Sequence, residues 1–273
     1  QRCHNCSQLF SNRYFVKLTM IRVEGLVKSF DDVTVIKGID ATFEQGKTNL
    51  IIGRSGSGKT VFLKSILGLY EINAGEIYFG DRKVSDMNKN DRKKLRQELG
   101  MVFQGGALFD SLTVIENVMF PLQMFGDMSE SEKQDRANFC LKRVNLFEAN
   151  NRLPAEISGG MQKRVAIARA IVMQPKYLFC DEPNSGLDPE TSILIDNLIR
   201  EITQEFNMTT LINTHDMNSV LEIGDKVFFL KDGYKAWEGT KEEIVSSDNE
   251  DIVDFVFRSN LFKKVKDALR QSM

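Results

Sequence analysis

Gly53-Arg54-Ser55-Gly56-Ser57-Gly58-Lys59-Thr60 is the stretch on which the fold turns. It reads G-x-x-x-x-G-K-[ST], the spacing of a phosphate-binding P-loop. The apolar run Leu50-Ile51-Ile52 precedes it, and Val61-Phe62-Leu63-Lys64-Ser65-Ile66-Leu67 follows with helical spacing. That strand–loop–helix order is the context in which the motif works. Its glycines let the backbone curl so that successive N–H groups point at phosphate oxygens. The helix N-terminus adds roughly half a positive charge at the same place. In such a loop Lys59 is expected to reach the β- and γ-phosphates and the Thr60 hydroxyl to ligate Mg²⁺.

Outward from the loop, strand and helix patterns alternate. Upstream, Ile21–Val27, Thr34–Ile36 and Asp40–Phe43 read as three strands, with Phe30 between the first two. Downstream, Gly75–Gly80 and Gly100–Gln104 read as strands, and Asn88–Gln97 is a charged, solvated stretch. Residues 105–165 turn helical, with Val114–Phe125 followed by Ser129–Asn145, the latter opened by a Ser129/Glu132 capping box. Alternation then resumes: strand Tyr177–Cys180, helix Pro189–Phe206, strand Thr209–Asn213, a helix around Met217–Ile223, strand Lys226–Leu230. Such a chain predicts an α/β fold with a mostly parallel sheet covered on both faces.

The chain of 273 residues carries a net charge of −2, which gives no reason to expect nucleic acid as the main partner. Its apolar runs break well before 18 residues, so no transmembrane helix is expected. Cys140 and Cys180 read as buried small hydrophobes. Cys3 and Cys6 flank His4 without a second pair to complete a zinc site, and a reducing compartment fits. Residues 1–19 read as an appendage before Met20, consistent with a start set too far upstream. In the last stretch, Leu261, Val265 and Leu269 lie four apart among basic residues, an amphipathic helix that packs on its own domain or on a partner or membrane surface.

Tyr177-Leu178-Phe179-Cys180-Asp181 is an apolar strand ending in a carboxylate, suited to holding Mg²⁺ beside Thr60. Glu182 follows. Adjacent strand residues point to opposite sides, so Asp181 is expected on the metal and Glu182 on the attacking water. In Ile157-Ser158-Gly159-Gly160-Met161-Gln162-Lys163-Arg164, a serine and two glycines open the helix Val165–Met173, an arrangement that can receive an anion.

The P-loop, Gln104, Ser158-Gly159-Gly160, Asp181-Glu182, Ser185-Gly186-Leu187-Asp188 and His215 occur in the order of an ATP-binding cassette (ABC) ATPase. The resemblance covers about residues 20–246. It implies a P-loop NTPase core, an antiparallel N-terminal β-subdomain and an inserted helical subdomain at about 105–165, with 247–273 as a C-terminal helical extension. It implies ATP and Mg²⁺ as ligands. By the resemblance Phe30 stacks on adenine, Gln104 contacts Mg²⁺ and water, and His215 senses the γ-phosphate. Ser158, Gly159, Gly160 and Asp188 would meet the ATP held by a second copy, so that two chains sandwich two nucleotides. Ile157, Met161 and Asn184 depart from the usual residues without removing a group the chemistry needs.

One cassette without a membrane span implies a separate permease, and a place at the cytoplasmic face of the inner (plasma) membrane. Residues 104–114 and 158–164 look like those of Mla-type cassettes, which work with an MCE-domain lipid carrier to move phospholipid. The apolar, small-residue stretch beside Gln104 suits a groove for a permease helix. An importer of polar solutes such as amino acids is the alternative, as is a non-transport ABC ATPase in a soluble complex.

Overall fold

The computed structural model describes residues 20–256. The six-stranded sheet runs in the order β10-β9-β3-β8-β7-β6. Its members are β3 (Thr48–Ile52), β6 (Leu99–Val102), β7 (Tyr177–Asp181), β8 (Thr209–Thr214), β9 (Lys226–Lys231) and β10 (Tyr234–Gly239). All neighbours are parallel except β10, which returns antiparallel along β9. The expected α/β fold with a mostly parallel sheet is therefore present.

The reason lies in the strand sequences. Leu50, Ile52, Leu178, Cys180, Ile212 and Phe229 belong to one hydrophobic cluster. Ile51, Phe179, Leu211 and Phe228 belong to the other. Alternate residues thus bury into opposite faces, which a sheet covered on both sides requires. The face holding Ile51 packs on α1 (Lys59–Ile66) through Phe62 and Leu63. The opposite face packs on α5 (Gly159–Ile171), α6 (Pro189–Glu205) and α7 (Met217–Ile223).

A second, antiparallel sheet runs β2-β1-β4-β5. It comprises β1 (Ile21–Phe30), β2 (Val33–Phe43), β4 (Ala74–Phe79) and β5 (Arg82–Lys83). The two strands expected at Thr34–Ile36 and Asp40–Phe43 are one. Gly38, at φ 80°, falls where the register shifts between Leu26↔Ile39 and Val27↔Lys37, so it is a bulge inside a continuous strand. Asp40 Oδ1 accepts from the Gly25 amide at 2.7 Å across the adjacent register shift, between Val23↔Ala41 and Leu26↔Ile39. Phe30 ends β1 and does not lie between strands.

The helical segment holds α3 (Val114–Phe125) and α4 (Glu130–Arg143), capped by Thr113/Glu116 and Ser129/Glu132 boxes, packed with α5. The helix expected from Val165 begins six residues earlier, at Gly159. Ser158 caps it by accepting from the Met161 amide at 3.3 Å, which compensates for the poor helix propensity of two glycines. The charged stretch forms α2 (Lys89–Gln97), in which only Leu95 is buried. Burial raises the Cys140 thiol to about 11 and Cys180 further still. Two short helices follow the sheet, α8 (Lys241–Ser246) and α9 (Glu250–Val256). Among the described residues no helix is long and apolar enough to cross a membrane. The appendage 1–19, with Cys3, His4 and Cys6, and the pattern Leu261/Val265/Leu269 lie outside the described residues.

Candidate functional site

The loop after β3 is built around close approaches that exclude side chains. A Cβ on Gly53 would lie 2.4 Å from the Leu230 carbonyl and 2.6 Å from Ser57 Oγ. Gly58 begins α1 at φ 102°, a conformation costly for other residues. Lys59 Nζ folds back over the loop and donates to the carbonyls of Gly53 (2.9 Å) and Arg54 (3.2 Å). Burial lowers the pKa of Lys59, opposed by the carboxylates of Glu182 and Asp181. Arg54, Ser55 and Gly56 form the exposed rim, whereas Ser57 Oγ is buried with no hydrogen-bond partner among the described residues. A cradle of N–H groups, an ammonium and an unpaired hydroxyl at a helix start fits a polyphosphate.

Strand β7 carries Asp181 to the same place. Thr60 Oγ1 and Asn213 Nδ2 both donate to Asp181 Oδ1, each at 3.0 Å. Glu182 is not aimed by the pleat, as the sequence reading supposed. It lies past the strand end at φ 47°, a left-handed conformation that costs roughly 1–2 kcal/mol outside glycine. Its amide donates to the Asn213 carbonyl at 3.0 Å, which holds the turn. Its two carboxylate oxygens then face different loops. His215 Nδ1 is 3.1 Å from Oε1, and Gln104 Nε2 is 3.5 Å from Oε2 and 3.3 Å from Ser185 Oγ. Thr60, Gln104, Asp181, Glu182 and His215 therefore form one cluster at the C-terminal ends of β6, β7 and β8, beside the loop.

Ser158, Gly159, Gly160 and Asp188 form a second group. Ser158 caps α5, and Asp188 caps α6 by accepting from the Thr191 amide at 2.9 Å. Hydrogen bonding with Thr191 holds the Asp188 carboxyl below its ordinary value. A Cβ on Gly160 would lie 2.7 Å from Thr191 Cγ2, so the two helix starts touch. Ser158 and Gly159 are exposed. Phe30 stands apart again, half-exposed at the end of β1. Tyr70 meets its ring edge-on at 5.2 Å, and Lys28 Nζ lies 4.6 Å from its centroid.

The residues that tie these parts together carry no motif of their own in the sequence. Lys163 donates to the Gln104 carbonyl, and Arg169 to those of Gly106 (2.7 Å) and Ala107 (2.8 Å). Burial lowers the pKa of both cations. Asn117, fully buried, accepts from the Phe109 amide and donates to the carbonyls of Phe109, Leu112 and Thr113. The segment after Gln104 is thus pinned along its length. Beside it runs a largely apolar groove of about 320 Å³, lined by Met101, Phe103, Ala107, Phe109, Phe120 and Phe125 among others. An asparagine inside the apolar helix pattern of α3 was the one available signal, since a buried amide needs partners.

Comparison with known proteins agrees with this geometry. The family described as ABC transporter matches residues 36–185. The arginine transport ATP-binding protein ArtM of Bacillus subtilis is 39% identical over 228 residues, covering 84% of this chain and 94% of that protein. The methionine import ATP-binding protein MetN of Clostridioides difficile is 36% identical over 225 residues, covering 82% of this chain. Of the longer relatives the chain spans 65 to 70% of the length. Among solved structures, the bacterial ABC transporter cassette MJ0796, seen as a dimer, superposes with a TM-score of 0.74 at 34% identity, covering 81% of this chain and 98% of that one. With the loop, the acid pair and both helix starts in place, the chain belongs to the ABC transporter family of ATP-hydrolysing cassettes.

Proposed function

We propose that Glu182 is the general base of ATP hydrolysis in this transporter subunit, and that the hydrolysis drives phospholipid movement between membranes. The observation that carries the catalytic part is the Glu182 carboxylate, bracketed by His215 and Gln104 and set beside the P-loop. Lys59 and the loop amides at 53–60 hold the phosphates, Phe30 stacks on the base, and His215 orients the terminal phosphate. Thr60 and Asp181 offer the hard oxygen donors that Mg²⁺ takes, with Gln104 in reach of the same cluster. Among the described residues no group of three or more His, Cys, Asp or Glu stands ready to hold a metal, which suits an ion completed by phosphate and water. When bound, Mg²⁺ neutralises phosphate charge. Ser158, Gly159, Gly160 and Asp188 face a second copy of the chain, whose nucleotide they close over.

The pinned segment 104–113 and its apolar groove suit a cytoplasmic helix of a permease, which supports a station at the cytoplasmic face of the inner (plasma) membrane. The likeness of residues 104–114 and 158–164 to Mla-type cassettes supports phospholipid as cargo and an MCE-domain protein as carrier. A second reading, an importer of polar solutes such as amino acids, is favoured by the names of the arginine and methionine relatives. Purification of the tagged chain from native membranes in mild detergent separates them. A multi-span permease with an MCE-domain protein and bound phospholipid is the expected result. A permease with a solute-binding protein moves the cargo to polar solutes, and soluble partners alone overturn transport.

A further inference from the structure

The turn between Glu182 and Asp188 is held from two sides by adjacent side chains. Ser185 Oγ accepts from Gln104 on the outer side. Asn184 points inward, where its Nδ2 donates to Ser219 Oγ at 2.9 Å and to Asp196 Oδ2 at 3.2 Å. All three residues of this node are buried, Asn184 at 8% exposure, Asp196 at 4% and Ser219 at 1%. Asp196 lies on α6, which starts just after Asp188, and Ser219 lies on α7, which starts two residues after His215. One amide therefore reaches both helices whose starts follow site residues.

The residue type matters. A serine or threonine hydroxyl in place of Asn184 would have one hydrogen to donate. A primary amide has two in a fixed fork, so it can serve Asp196 and Ser219 together. Both acceptors are shielded from water, so a lost donor is not replaced by solvent and the gap costs more than an exposed bond would. The groups facing Asp196 agree with a carboxylate that needs its donors. Burial pushes its pKa up to about 6, with Asp216 and Glu222 adding to the rise, while Ser219 and Asn184 oppose it by hydrogen bonding. From β7 the Cys180 thiol faces the same carboxylate and stays protonated.

We propose that Asn184 is a positioning residue for hydrolysis: its amide clamps the 182–188 turn onto α6 and α7, fixing Glu182 relative to His215 and Asp188. The proposal rests on the assignment of Glu182 as the base. It is tested on the full chain by measuring steady-state hydrolysis and ATP binding for Asn184→Thr, Ser219→Ala, their double variant, and Glu182→Gln as reference. Asn184→Thr is expected to lower kcat about five- to tenfold, with KM and the Kd for ATP within about twofold of wild type. Ser219→Ala, a small truncation that keeps the fold intact if Asn184→Thr does not, is expected to show the same split to a lesser degree. The double variant should be no slower than Asn184→Thr, because both changes cut one link. Wild-type kcat with only a lowered Tm, or additive losses accompanied by weaker ATP binding, would overturn the clamp. If Glu182→Gln is inactive while Asn184→Thr turns over normally, this inference alone falls. If Glu182→Gln turns over normally, the assignment beneath it falls as well.

Discussion

The strand-end cluster and the paired helix starts use similar residues in opposite ways. In the cluster, Thr60, Gln104, Asp181, Glu182 and His215 point at one another, and each carboxylate already has protein partners. At the helix starts, Ser158 and Asp188 turn their side chains back onto their own first turns, and the surface beyond is open. The cluster is preorganised by the sheet, since three parallel strands end side by side and deliver their last residues together. The helix starts are preorganised by capping: α5 sets the exposed Ser158 and Gly159 at its N-terminus, while Pro189 leaves α6 without an N–H at its first position. One region finds its partners within the chain; the other leaves an exposed surface, the one proposed to close over the nucleotide of a second copy.

The largest expected effect breaks the cluster at its centre. Glu182→Gln keeps the shape while removing the proposed base, and turnover should fall by about 10²–10⁴ with ATP still bound. Steady-state hydrolysis beside nucleotide binding checks this, and normal turnover would place the base elsewhere. A smaller effect probes the scaffold between the regions. Because burial raises the Asp196 pKa to about 6 from an ordinary 3.8, the folded state holds that proton where the unfolded chain has lost it. Its contribution is full below about pH 4 and is lost as pH rises through about 6. Asp196→Asn should therefore gain on the wild type across that window, by on the order of 1–3 kcal/mol, read from paired denaturation curves at each pH. The subtlest test addresses the outward face. In a mixed dimer, one protomer carries both Ser158→Ala and Lys59→Ala while the other is wild type. If the sites are shared, hydrolysis falls well below half of the wild-type dimer, whereas an unshared site leaves half the activity intact.

Much of the cluster was legible in the sequence because each member sits at a fixed offset from a strongly patterned element. The P-loop, Asp181 and His215 all lie at the ends of fully buried strands, which leave little freedom in where they end. The turn at Glu182 was not legible in the same way. Strand alternation predicts a pleated side chain there, but a left-handed residue depends on a hydrogen bond to Asn213, which lies on a neighbouring strand. The bulge at Gly38 misled for the same kind of reason, since local breaks in alternation look alike whether a strand ends or merely kinks. Asn117 and Asn184 were harder still. Asn117 finds its partners in the loop just before its own helix, at Phe109, Leu112 and Thr113, whereas those of Asn184 lie on two other helices that only the folded chain brings near.

The position of β3 at the middle of the sheet has a consequence for how the protein comes to exist. Its neighbours are β8 and β9, and Asn49 bonds Thr210 across 161 residues of chain. Pairings of such separation form slowly, because the entropy of closing so long a loop is lost before the contacts repay it. During synthesis, which proceeds from the N-terminus at about 5–20 residues per second, the P-loop emerges early but its strand stays unpaired on both edges. The loop leans on β9, where Gly53 lies against the Leu230 carbonyl, so its folded geometry is expected only after residues 209–231 have left the ribosome. A nascent chain that binds ATP would therefore report near-complete synthesis of the sheet.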